Sequence, residues 1–187
     1  MPESLPRRIL IVEDDLRIAD MLDNYLKAQG FATPTIGTLS DIICCPGGDF
    51  CDLANAKSIP IANAIQARFD DLDYLFDIGE IDLNISGCMN ACGHHHVGHI
   101  GVLGVDKHGE EWFQITVGGH AGNRPGQRAA FGKVIGPSMA SADVAPAIER
   151  MIERYIALRE HEDETFIDVL ERTGIEPFKE SAYATSD

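Results

Sequence analysis

No stretch of this chain stays apolar for the roughly 20 residues that a membrane-spanning helix requires. No secretory leader is expected, since Ile9, Leu10, Ile11 and Val12 form a run far too short for an apolar h-region. Basic side chains are scarce: fifteen Lys and Arg stand against thirty Asp and Glu, for a formal net charge of −15. That balance argues against nucleic acid as a partner, because phosphate contacts need clustered Lys and Arg. It also makes the chain, taken alone, poorly suited to collecting small anions. Internal repeats and low-complexity segments are absent. These absences predict a soluble, cytoplasmic protein with no membrane and no nucleic acid among its partners.

What is present describes a globular protein. The 187 residues, 44% of them hydrophobic, can bury one core and carry a small appendage. Ile9 to Val12 reads as a buried parallel strand, followed by a helix on the spacing of Ile18, Met21, Leu22, Tyr25 and Leu26, with Gly30 as its stop. Pro34, Gly37 and Ser40 mark a loop and a boundary. After it, a helix is expected from Leu53 through Ala54, Ala56, Ile59 and Ile65 to Phe69, kinked or split at Pro60. Residues 81–85 alternate as a strand, with Ile81, Leu83 and Ile85 on one side. Residues 99–105 and 111–117 read as two strands joined by Asp106-Lys107-His108-Gly109. A glycine-rich loop over 118–126 leads to a strand over 130–135. Val144, Ala147, Ile148, Met151, Ile152, Tyr155 and Ile156 form an amphipathic helical stripe. A further helix starts near Thr165 and ends at Gly174, and the last dozen residues read as a tail. The predicted class is α+β: a mixed sheet with a central β-hairpin, flanked by helices.

Four of the five cysteines fall into two pairs, Cys45-Pro-Gly-Gly-Asp-Phe-Cys51 and Cys88-Met-Asn-Ala-Cys92. Five cysteines in a chain expected to be cytoplasmic read as ligands or reactive thiols before disulfides. Two short loops, each offering two sulfurs, can surround a cubane cluster. Pro46, Gly47 and Gly48 let the first loop bend tightly, and Gly87 and Gly93 bracket the second pair. Buried thiols in ordinary turns are the plain alternative. Zinc is another, since four thiolates suit it too, but C-x5-C lies outside the usual C-x2–4-C knuckle and puts iron–sulfur ahead. Cys44, beside Cys45, is expected to serve packing.

Two segments carry a family resemblance: Gly37-Thr-Leu-Ser-Asp-Ile-Ile-Cys-Cys-Pro-Gly-Gly-Asp-Phe-Cys51 and Ser86-Gly-Cys-Met-Asn-Ala-Cys-Gly93. They resemble the signature segments of sirohaem-dependent nitrite and sulfite reductases, and the likeness extends over about residues 35–184. The resemblance implies two regions, a short segment over 1–34 and the reductase domain over 35–187, with cluster-binding loops at one end of the sheet. It implies that Cys45, Cys51, Cys88 and Cys92 hold a 4Fe-4S cluster and that Cys92 also bridges to the sirohaem iron. Asn90 is similar to a family residue beside the sirohaem. Sulfite or nitrite would be the substrate, reduced by six electrons to sulfide or ammonia, with ferredoxin or a flavoprotein as electron donor. A stand-alone iron–sulfur electron carrier without sirohaem is the alternative.

The sequence departs from the family pattern in several places. His99 stands seven positions after Cys92, where the family commonly has an acidic residue. His94, His95, His96 and His99 would supply protons or line a polar loop. The family's anion pocket lies mostly on segments preceding the first cysteine pair, and only 44 residues precede Cys45. Arg124, Arg128 and Lys133 are the candidates for sirohaem carboxylates or substrate, and a second polypeptide is a candidate for completing the site. At the N-terminus, Arg8-Ile-Leu-Ile-Val-Glu-Asp-Asp15 resembles the first strand of a response-regulator receiver domain, with Glu13 and Asp14 as its acidic pair. The chain passes into reductase-like sequence before a phosphoacceptor strand could follow.

Overall fold

The computed structural model describes residues 17–18, 21–22, 25–26, 37–122 and 128–184. The chain divides into two units, Met1–Ile36 and Gly37–Asp187. In the first, the described residues Arg17, Ile18, Met21, Leu22, Tyr25 and Leu26 are helical, where the apolar spacing predicts a helix. The strand expected at Ile9 to Val12 and the pair Glu13 and Asp14 lie outside the described residues.

The second unit is built on a mixed sheet of six strands among the described residues: β1 (Ile43–Cys44), β2 (Leu83–Ser86), β3 (Ile100–Lys107), β4 (Glu110–Val117), β5 (Lys133–Val134) and β6 (Met139–Ala140). Strands β1, β2 and β3 run parallel, β4 is antiparallel to β3, and β5 and β6 both pair with β4. The helices are α1 (Ser58–Gln66), α2 (Leu72–Ile78), α3 (Ser141–Leu158), α4 (Phe166–Thr173) and α5 (Glu176–Ala182). The fold is α+β, with helices flanking a sheet that contains the hairpin.

Local chemistry explains the differences from the sequence reading. Pro60 does not kink α1; it sits in the first turn, where its missing N–H is no loss, and the chain before Ser58 is non-helical. Helix α2 is an element the apolar spacing left unassigned. Asp71 caps it, accepting from the backbone N–H groups of Asp73 and Tyr74, and Leu75 and Ile78 fill the core. Strand β2 is buried at all four positions, as a central parallel strand must be, rather than on one side. The hairpin is tighter than expected: Lys107 pairs with Glu110, leaving His108 and Gly109 as a two-residue turn at φ +60 and +82. The strand expected over 130–135 shortens to β5, while Ala130 bridges His120 separately.

Helix α3 carries the expected stripe inward: Val144, Ala147, Ile148, Met151, Ile152 and Tyr155 are buried. It packs against α1, α4, α5, β4 and β6. Helix α4 begins at a capping box between Thr165 and Asp168 and ends at Gly174, whose φ is +77. Arg172 bonds to the Glu164 carboxylate at 2.7 and 2.8 Å and holds its pKa down to about 2.

Within the dozen residues expected as a tail, Glu176–Ala182 instead form α5. Phe178 is fully buried edge-on to Phe166, which in turn meets Tyr155. Arg150 donates to the carbonyls of Ser181 and Ala182, satisfying acceptors that a helix end leaves open. Among the described residues, no helix is long and apolar enough to cross a membrane.

Candidate metal centre

Adjacent parallel strands end on the same side of a sheet, so the loops that leave them start as neighbours. Cys44 pairs with Ile85 across β1 and β2, and Cys45 N–H donates to the Ile85 carbonyl at 3.1 Å. The first cysteine loop therefore departs within a residue or two of the second. Each then coils on itself. Cys51 N–H donates to the Gly47 carbonyl at 2.9 Å, closing the first loop around a 3-10 turn at Gly47–Asp49. In the second, Ala91 N–H donates to the Cys88 carbonyl at 3.1 Å and Gly93 N–H to Ser86 Oγ at 3.1 Å.

The loops also touch each other. The Gly87 carbonyl accepts from the N–H groups of Asn55 and Ala56 at 2.9 and 3.0 Å. A Cβ on Gly87 would fall 2.9 Å from the Gly47 Cα, and one on Gly47 only 2.3 Å from the Ser58 nitrogen. A Cβ on Gly93 would meet the Ile85 carbonyl oxygen at 1.9 Å. Glycine is required at this crossing because two backbones occupy the space a side chain would take.

The result is a cavity of about 90 Å³ lined by Cys45, Cys51, Cys88 and Cys92 with Pro46, Gly47, Leu53, Ala54 and Asn90. All four paired cysteines are brought together. Cys88 is buried, Cys45 and Cys51 are half-buried, and Cys92 is exposed, as is Asn90. Cys45 Sγ accepts the Gly87 N–H at 3.1 Å and lies 3.4 Å from Ser58 Oγ. Among the described residues, no three His, Cys, Asp or Glu side chains form a group that could hold a single metal ion. Thiolates around one zinc ion stand about 2.3 Å from it. A cubane spreads four thiolates around a wider core, and the four-cysteine donor set and the N–H donor to sulfur fit such a cluster. Cys44 is not in the lining. Its thiol lies 3.2 Å from the Cys45 carbonyl and packs against the core, and burial, then the neighbouring Cys45, pushes its pKa up to about 11.

The other candidates separate. None of the four histidines lines the cavity. His94 and His96 are exposed, whereas His95 is 2% exposed, and burial followed by the charge of His96 lowers its pKa to about 4. Burial thus favours the uncharged imidazole at His95. His99 accepts the Asp82 N–H on Nδ1 at 3.1 Å, with its Nε2 3.7 Å from the Asp82 carboxylate. Arg124 lies outside the described residues; Arg128 is exposed and does not line the cavity. Lys133 lines a different cavity, with His120 and Glu171. Ser58 went unmarked in the sequence because it lies 13 positions from Cys45 and shares no spacing with the cysteines.

Comparison with known proteins agrees with the fold. Residues 37–186 match the family model described as the nitrite and sulphite reductase 4Fe-4S domain. A sulfite reductase (ferredoxin) of Mycobacterium tuberculosis is 27% identical over 163 residues, covering 82% of this chain and 28% of that protein. The sulfite reductase (NADPH) hemoprotein beta-component of Xanthomonas campestris is 32% identical over 166 residues, covering 87% of this chain and 28% of the relative. The chain thus spans little more than a quarter of the length of these relatives. Among solved structures, the NirA protein of Mycobacterium tuberculosis superposes with a TM-score of 0.62 at 26% identity, over 90% of this chain and 31% of that one. Dissimilatory sulfite reductase I shares the fold, with a TM-score of 0.62 at 14% identity over 76% of this chain. With the family model covering residues 37–186, the chain belongs to the family of nitrite and sulphite reductase 4Fe-4S domains.

Proposed function

We propose that Cys45, Cys51, Cys88 and Cys92 hold a 4Fe-4S cluster in this chain and present it, through Cys92, to a sirohaem at which sulfite or nitrite is reduced. The observation that carries this reading is the convergence of all four thiols on one small cavity, with Cys92 exposed. When bound, the two groups would relay the six electrons delivered by an external donor and supply the iron centre at which sulfite is taken to sulfide or nitrite to ammonia. The protein's own part is distributed. Buried Cys88 lies at the inner side of the cavity, and Pro46, Leu53 and Ala54 give it an apolar lining. The Gly87 N–H steadies the Cys45 sulfur. Cys92 and Asn90 face outward, where a macrocycle would lie against them.

Among the described residues lining the cavity, none is Lys, Arg or His. In this reading the cationic side chains that a substrate anion needs come from outside that lining, from a second polypeptide or from segments such as the one bearing Arg124 and Arg128. Ferredoxin or a flavoprotein would deliver the electrons, in the cytoplasm. The same lack of basic lining favours one alternative, an iron–sulfur electron carrier without sirohaem. Residues 1–34 we take as a receiver-like strand and helix without phosphorelay activity; acetyl phosphate should label no aspartate in them.

The test is purification without oxygen, followed by iron and acid-labile sulfide assays and the visible spectrum. About four irons and four sulfides per chain are expected. Replacing Cys45, Cys51, Cys88 or Cys92 singly by Ser should lose most of them, while Cys44→Ser keeps them. Full iron content in all four single variants would refute the ligand assignment. A Soret band beside the cluster absorption supports the reductase reading; a cluster alone supports the carrier.

A further inference from the structure

Ser58 opens α1 and is fully buried, yet its side chain reaches the candidate metal centre. Its Oγ lies 3.4 Å from Cys45 Sγ, the same sulfur that accepts the Gly87 N–H at 3.1 Å. The hydroxyl also sits at the point where the two cysteine loops cross. A Cβ on Gly47 would fall 2.6 Å from it and one on Gly87 2.8 Å. Two glycines thus clear the space through which a hydroxyl from a third segment approaches one cysteine sulfur.

The direction of that contact follows from the state of the sulfur. A free thiol could donate to the hydroxyl, but a sulfur bound to iron has lost its proton and can only accept. We propose that Ser58 is a positioning and tuning residue, its hydroxyl donating to the Cys45 sulfur and favouring the reduced cluster; this rests on the cluster reading above. Reduction adds negative charge that spreads onto the thiolate sulfurs. A donor aimed at one of them stabilises the reduced form more than the oxidised form and raises the potential. Burial sharpens the effect, because water does not compete for the hydroxyl in a site of low dielectric. Cys45 is thereby the sulfur with two donors, while Cys92, on the exposed side, remains free to face a second group.

The experiment is a redox titration of the full chain, reconstituted with iron and sulfide without oxygen and followed by electron paramagnetic resonance. Wild type, Ser58→Ala and Ser58→Thr are compared, with circular dichroism of each apo form as a check on folding. Loss of the hydroxyl should leave up to about tenfold less reduced cluster at a fixed ambient potential, a shift of up to about 59 mV to more negative values for a one-electron couple. Ser58→Thr should stay near wild type. In the reduced protein, the exchangeable protons coupled to the cluster should include the Ser58 hydroxyl beside the Gly87 N–H, and Ser58→Ala should lose one such coupling that Ser58→Thr keeps. An unchanged potential in Ser58→Ala, equal shifts in both variants, or the same set of exchangeable couplings in wild type and Ser58→Ala overturns the inference. A wild type that takes up no cluster defeats the cluster reading itself and this inference with it.

Discussion

Cys45 and Cys92 differ sharply in their surroundings within the candidate centre. The first has its sulfur held by a backbone N–H from the facing loop, and the second is exposed. The histidines beside Cys92 show the same division at the level of single side chains. His95 sits under the surface with its Nδ1 lacking a hydrogen-bond partner, while His94 and His96 face outward. Because burial lowers the His95 pKa from 6.5 to about 4, the folded chain binds fewer protons there than the unfolded chain between those values. Stability should therefore rise with pH through that window, be fully present above pH 6.5, and fall away as pH drops toward 4. Urea unfolding of the apo protein at intervals from pH 7 to 4.5 checks this, with His95→Asn expected to flatten the slope. An unchanged slope would mean that other groups carry the acid sensitivity. Spacing showed these histidines as a group; burial, invisible to spacing, separates the neutral one from the exposed ones.

At the scale of elements, the short parallel strand β1 does more than its two residues suggest. It lies beside β2, and that adjacency starts both cysteine loops from one edge. Strand β1 is too short to register as periodicity, so nothing in the apolar pattern announced it. The long stripe of α3 was legible because 18 residues carry the 3.6 period many times over. Helix α5 was not, since seven residues beginning Glu-Pro look like the end of a chain. Its role is set by one side chain, Phe178, packed on Phe166. Phe178→Ala should cost about 3–5 kcal/mol in denaturant unfolding. A loss below about 1 kcal/mol would return the segment to the status of a tail. Pro60 makes the complementary point: the same residue that would break a helix interior is accommodated in a first turn, and only the helix start at Ser58 decides which applies.

Across the whole molecule, the division between Ile36 and Gly37 coincides with the start of the family match at residue 37. A chain beginning at Gly37 should fold by itself, with the same iron and sulfide content as the full chain and a cooperative thermal transition. Loss of iron from the shortened chain would show that the first unit takes part in holding the centre. The acidic balance, with a formal net charge of −15, makes this chain a weak collector of anions by itself. That agrees with a cavity lining free of basic side chains among the described residues.

Residue types and short-range spacing alone determined the cysteine pairs, their glycine brackets, the hairpin and the α3 stripe, because loops of a few residues and helical turns depend on neighbours in the chain. Only the tertiary structure decided that Cys45 meets Cys88 across 43 positions, that Ser58 reaches a sulfur, and that β2 is buried on both faces. Those facts follow from strand order and backbone crossing, and no local pattern encodes which strand ends become neighbours.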